Sequence, residues 1–206
     1  HRHFRRQRQM CIRDSINSVS NGAFDVTVGP LVNLWGFGPE HNRDDVPSAD
    51  AVNQRKKMVG SEHVGVRKDP PAVKKAIPKL YCDFSAIAKG WGVDKVAELL
   101  EERNVDNYLV EIGGEIRAKG INVKGGDWRI GVSSPKQTGE IEKVIKVTDV
   151  GIATSGDYRN YFEKDGVRYS HTIDPRTGAP ISHGLASVTV IHPSCMMADA
   201  FATAID

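Results

Sequence analysis

Long apolar runs are missing from this 206-residue chain: no stretch approaches the roughly 18 residues of a membrane-spanning helix, and none follows the early arginines as a signal peptide requires. Cysteine is scarce. Cys11, Cys82 and Cys195 have no metal-like spacing and cannot all pair, so neither a disulfide framework nor a zinc site is expected, and the redox compartment stays open. An excess of one charge is also lacking, because 28 Lys and Arg stand against 26 Asp and Glu, and a net charge of +2 argues against nucleic-acid binding and an acidic tail. No repeat, low-complexity tract or clear linker interrupts the chain. What remains is one sizeable domain or two small ones, with a single compact unit as the default and a core that needs no staples.

Much of the small positive excess sits at the start, in Arg2, Arg5, Arg6, Arg8 and Arg13, with no apolar period around them. Residues 1–15 therefore read as a leader outside the fold. Two origins stay open for it: translated adapter sequence, which the string from Met10 to Ser15 resembles, or a disordered basic extension. The folded part is expected over residues 16–206. With no leader of the secretory kind, the protein is expected either to be cytoplasmic or to lack its real start.

Along the chain, Phe24 to Pro39 alternates short apolar runs with Gly and Pro and suggests a strand followed by a glycine-punctuated loop. The polar stretch from Glu40 to Asp50 reads as loop, Ala51 to Met58 as a short helix and His63 to Arg67 as a strand. Val93, Val96, Ala97 and Leu100 recur at helical spacing, with Glu101, Glu102 and Arg103 outward, so Gly92 to Arg103 predicts an amphipathic helix. Tyr108 to Ile112 and Glu115 to Ala118 read as strands around Gly113-Gly114, and Trp128 to Val132 as another. Tyr158 to Phe162 and Val167 to Thr172 flank Asp165-Gly166, a hairpin-turn dipeptide. Leu185 to Ile191 predicts a further strand, and Ser194 to Ile205 a buried helix. Because Asp206 follows that helix directly, the C-terminus is expected to be cut.

Three segments have the composition of a site. DFSAIAKGWGVD, Asp83 to Asp94, puts a carboxylate, Ser85 and small residues before Lys89 and Gly90 at a helix entrance, where unsatisfied amides favour phosphate. Taken alone, the segment is more simply explained as an ordinary strand-to-helix turn capped by Asp83. HTIDPRTGAPISHG, His171 to Gly184, delivers His171 at a strand end before a turn that Asp174-Pro175 and Thr177-Gly178 enforce. That fixed imidazole suits a general base near neutral pH, or it is a satisfied histidine. Arg176 either meets a phosphate or covers the turn, and His183 carries the same two readings. ADAFATAID, Ala198 to Asp206, sets Asp199 and Thr203 one helical turn apart. They either pair with each other or, as oxygen-only ligands, hold a hard cation such as Mg²⁺.

Together with NGAFDVTVGPLVNLWGFGP at Asn21 to Pro39, these segments resemble, in order, the ApbE family of FAD:protein FMN transferases. The resemblance covers about Asn21 to Asp206 and is most specific in HTIDPRTG followed by a strand and ADAFATA. It implies an α+β fold of mostly antiparallel strands with packed helices. It implies a divalent ion, usually Mg²⁺, held by Asp199, Thr203 and the Ala86 backbone carbonyl. His171 corresponds to the base, while Asp83, Lys89 and Ile173, with Ala23, Phe24 and Asp25, correspond to FAD-contacting positions. The implied reaction is phosphoryl transfer: a threonine of an acceptor flavoprotein attacks the FMN-side phosphorus of FAD and AMP leaves. Hydrolysis of FAD by water through the same metal is the alternative within the family, and non-catalytic FAD carriage the alternative outside it. Members act mostly at the outer face of the bacterial inner membrane, so the resemblance implies a periplasmic location. Complete members carry more chain at both ends, including an early FAD-contacting methionine stretch.

Overall fold

In a computed structural model the described residues are 16–39, 45–67, 69–135, 140–156 and 160–206. The expectations for residues 1–15, for part of the polar loop and for Tyr158 lie outside them. The described residues form two compact units, one of residues 16–84 with 160–184 and one built mainly of Ser85–Gly156 with Leu185–Ala204.

The first unit opens with helical residues 16–19 and then departs from the expected strand: Gly29–Leu34 is a short helix, α1. Pro30 explains the difference. It lies in the first turn, where its missing N–H costs nothing and its fixed φ suits a helix. Helix α2, Ala49–Lys56, starts two residues before the expected Ala51 because Ser48 caps it, accepting a hydrogen bond from the Ala51 amide. Asp50 in its first turn and Arg55 and Lys56 in its last oppose the helix dipole. A 3₁₀ turn at Ser61–His63 precedes β1, Val64–Arg67, which pairs antiparallel with β2, Ala72–Lys75. Leu31, Trp35 and Ile173 form the core here, with Val64 and Leu80 in a second cluster.

The second unit begins with α3, Ser85–Glu102, which starts seven residues before the expected Gly92 and ends one before the expected Arg103. Its buried stripe is Ile87, Gly90, Val93, Asp94 and Ala97, whereas Val96 is 41 % exposed. The expected face was therefore rotated, since the true stripe starts at Ile87. Strands β3, Tyr108–Ile112, and β4, Glu115–Lys119, join through Gly113-Gly114 as expected. After β5, Trp128–Ser133, come β6, Ile141–Val147, and β7, Val150–Ser155, which had no counterpart in the sequence reading.

The chain then returns to the first unit, where β8, Tyr161–Lys164, and β9, Val167–Ser170, close on the expected hairpin turn. Asp165 and Gly166 both have positive φ, 52° and 76°, as a type I′ turn demands. Short strands β10, Ile173–Asp174, and β11, Ala179–Pro180, pair around the Pro175 to Gly178 turn. In the second unit β12, Val188–His192, and helix α4, Cys195–Ile205, complete the chain.

The largest sheet has four strands in the order β12-β7-β4-β3, and β5 pairs with β6. All the pairings among the described residues are antiparallel. The fold is α+β. Ala198 and Ala202 of α4 are fully buried with Ala153 of β7, so one face of α4 meets the sheet.

Candidate functional site

The expected site residues divide between the two units. Ala23, Phe24, Asp25, Asp83, His171 and Ile173 belong to the first, and Ala86, Lys89, Asp199 and Thr203 to the second.

In the first unit a dense set of polar contacts fixes residues 23–27. The Asn17 amide donates to the Phe24 carbonyl at 2.7 Å, and the Ala23 and Phe24 amides donate to Ser20. The buried Asp25 carboxylate accepts from the Thr27 amide and hydroxyl at 2.8 and 2.7 Å on Oδ1, and from the Ser61 amide at 2.9 Å and Asn17 at 3.4 Å on Oδ2. Its oxygens are already occupied by the protein, so Asp25 shapes this loop and any contact with a nucleotide falls to the backbone beside it. The Asp83 amide donates to the Val26 carbonyl at 2.7 Å, which brings Asp83 to the same segment as Ala23 to Asp25.

His171 sits one residue after β9, and its amide is held by the Asn160 carbonyl at 3.0 Å. The Phe37 ring meets the imidazole edge-on, 6.4 Å between centroids, at the end of a run of rings through Phe162, Tyr169 and Trp35. Ile173 is buried against Leu31 and Trp35. The turn beyond is clamped from three sides: Trp35 Nε1 donates to the Gly178 carbonyl, Lys56 Nζ to the Arg176 carbonyl, and the Gly178 amide to the Asp174 carbonyl.

Arg176 forks the Asp174 carboxylate through Nε and Nη2, both at 2.9 Å. Burial pushes the Asp174 carboxyl up, but the hydrogen bonds and charge of Arg176 outweigh it and hold the group below its ordinary value. Of the two readings of Arg176, covering the turn is the one made here. His183 is exposed and separate from this clamp.

In the second unit Asp199 is only 5 % exposed. Its Oδ2 accepts the Gly90 amide at 2.9 Å, and Thr203 donates its hydroxyl to the Asp199 carbonyl at 3.3 Å, so the two side chains do not bond to each other. Gly90 lies one helical turn after Ala86 on α3, so the amide that Asp199 engages belongs to the turn that follows Ala86. With one hydrogen bond on Oδ2, the Asp199 carboxylate keeps capacity to accept more. Burial pushes the Asp199 carboxyl up to about 7, with Glu115 adding to the shift and the Gly90 amide and Lys89 opposing it.

A carboxylate so buried is stabilised when a proton or a cation neutralises it. Its donor set is oxygen only, and among the described residues no group of three or more His, Cys, Asp or Glu gathers. One carboxylate, a hydroxyl and a carbonyl fit Mg²⁺, which takes few protein ligands and fills its shell with water and phosphate oxygens.

Lys89 Nζ lies 2.6 Å from Glu115 Oε1, and Glu115 is 2 % exposed. Its Oε2 is buried without a hydrogen-bond partner. Sequence reasoning passed over Glu115, and a lone acid opening a strand carries no signal of this partnership. It also passed over Asp94, although a carboxylate on the apolar stripe of α3 was a visible anomaly. Cys195 is buried, and desolvation, with Asp94 next, pushes its thiol up to about 12, so it is no nucleophile.

Comparison with known proteins places these features in a family. The ApbE family profile matches residues 10–205. The chain is 54 % identical over 189 residues to a FAD:protein FMN transferase of Vibrio cholerae, and 51 % identical over 192 residues to that of Haemophilus influenzae. Each alignment covers 91 % of this chain and 56 % of the relative, so the chain spans little more than half the length of these curated relatives. Among solved structures, the flavin transferase ApbE of Vibrio cholerae matches with a TM-score of 0.83 at 51 % identity, covering 94 % of this chain and 61 % of that one. The apo form of the Pseudomonas stutzeri flavinyl transferase ApbE matches at 0.85 and 43 % identity, covering 96 % and 61 %.

Proposed function

The chain belongs to the ApbE family, and from that premise we propose that it acts as a Mg²⁺-dependent FAD:protein FMN transferase. The observation that carries the reading is Asp199: a buried carboxylate, its pKa raised by burial, bonded to the Gly90 amide one turn after Ala86 in a chain half identical to named transferases. Such a group is costly to bury unless a cation or proton neutralises it.

Asp199, Thr203 and the Ala86 carbonyl are the residues that hold Mg²⁺. When bound, the ion neutralises pyrophosphate charge, which in phosphoryl transfer supplies much of the acceleration. His171 takes the proton of an acceptor threonine hydroxyl, whose oxygen bonds to the FMN-side phosphorus. The anhydride P–O bond breaks and AMP leaves. The turn clamp and Phe37 fix the imidazole for that single proton transfer. Lys89, with Asp83, Ile173 and the backbone of Ala23 to Asp25, contacts FAD, and Glu115 limits where the Lys89 ammonium can go.

The natural partners in this reading are FAD and a flavoprotein subunit carrying a threonine flavinylation motif, acting in the periplasm or at the outer face of the bacterial inner membrane. Product analysis tests the reaction class. Incubation with FAD, Mg²⁺ and acceptor should release AMP in step with flavin bound to the acceptor. Free FMN accumulating with AMP while the acceptor stays unmodified would instead make the protein a FAD pyrophosphatase, and intact FAD would make it a carrier.

A further inference from the structure

Asp94 interrupts the apolar stripe of α3 with a charge that is 5 % exposed. Its Oδ1 accepts from Arg117 Nη1 and from the Cys195 amide, both at 3.0 Å. Its Oδ2 accepts from the Ser194 hydroxyl at 2.7 Å and the Met196 amide at 3.1 Å. Four donors fill a carboxylate, so Asp94 has no capacity left for a ligand or an ion. Cys195 and Met196 open α4, and first-turn amides have no partner within their own helix. The negative charge that satisfies them therefore comes from a different helix, where it also meets the positive end of the α4 dipole.

One turn earlier on α3, Gly90 makes the second tether. Its amide bonds Asp199, and a Cβ there would fall 2.5 Å from the Cys195 carbonyl oxygen and 2.8 Å from the Asp199 Cβ. Two attachments, at Gly90 and Asp94, fix both the rotation of α4 and its position along its axis. A helix turns about 100° and rises about 1.5 Å per residue, so a slip of one residue would carry Asp199 and Thr203 away from the Ala86 carbonyl. Apolar contacts between Ala side chains could bury as much surface without setting that register, whereas a charge with four directed partners admits one arrangement.

We propose that Asp94 is a positioning residue for the cation site: by capping α4 from α3 it sets the register that brings Asp199 and Thr203 to Ala86. The proposal rests on the reading of those three residues as the ligands. Its test is direct metal binding, with Mn²⁺ as the probe, followed by electron paramagnetic resonance in the presence of FAD, beside thermal midpoints from circular dichroism.

Asp94→Asn keeps the shape but turns one acceptor into a donor facing other donors, and it is expected to weaken Mn²⁺ binding by about ten-fold or more in the folded protein. Ser194→Ala removes one of the four donors and should weaken it by about two- to ten-fold. FAD affinity without metal should stay unchanged in both. A lowered thermal midpoint with unaltered Mn²⁺ affinity would reduce Asp94 to a stabilising cap and overturn the proposal. If Asp94→Asn does not fold, Ser194→Ala decides by the same criterion. Absence of Mn²⁺ binding in the unsubstituted protein would instead overturn the ligand assignment itself, and the positioning role with it.

Discussion

At the scale of the residue, the proposed function makes the Asp199 carboxyl a point where protons, metal and stability are coupled. Burial lifts its folded pKa from 3.8 to about 7, so between those values the metal-free folded chain keeps a proton that the unfolded chain has released. Stability contributed by this group is thus present at low pH and lost as pH rises through that window. In chelator, the thermal midpoint is expected to fall between about pH 4 and 7 by an increment that Asp199→Asn removes. Mg²⁺ needs the carboxylate, so its affinity should rise over the same range, with a proton released on binding that calorimetry in buffers of different ionisation enthalpy will count. For turnover, Asp199→Ala is expected to cost at least as much as His171→Ala, on the order of 10²-fold or more, because charge stabilisation outweighs a single proton transfer. Full Mg²⁺-dependent turnover in Asp199→Ala would remove this residue from the metal site.

Residue types were legible in the sequence where their neighbours announced a turn or a cap. Asp165-Gly166 and the His171 turn are cases in point. Partnerships across the chain were not: Asp25 is satisfied by Ser61 and Asn17, and Lys89 by Glu115, at separations that no local pattern encodes.

At the scale of the element, the two helices of the second unit depend on one small residue. Gly90→Ala puts a methyl group into the Cys195 carbonyl, so it is expected to destabilise the protein by about 1–3 kcal/mol and to weaken Mg²⁺ binding along with it. Urea unfolding and a Mg²⁺ titration measure the two effects, and an unperturbed variant would contradict the close packing of α3 on α4. Helix α4 was legible from its small and apolar residues and its Ser194 cap, and β3, β4 and the β8–β9 hairpin from their apolar runs and turn residues. Helix α1 was hidden by the glycines and proline around it, where Pro30 in fact starts the helix. Strand β6 escaped because charges break its pattern: Lys146 faces outward between Ile145 and Val147, but Lys143 falls on the same side as those two and interrupts the alternation.

At the scale of the whole molecule, the order β12-β7-β4-β3 joins strands from widely separated parts of the chain, and pairing of that range is invisible to any window of sequence. The α+β class was legible through the family resemblance, with which the local helix and strand patterns agree. The proposed transfer depends on His171 and on Asp199, and in-gel flavin fluorescence after denaturation reads this directly on an acceptor protein bearing a threonine flavinylation motif. With FAD and Mg²⁺ the acceptor band should fluoresce, and the signal should vanish with chelator, in His171→Ala and in Asp199→Ala; an acceptor that stays dark under the complete conditions would contradict the account.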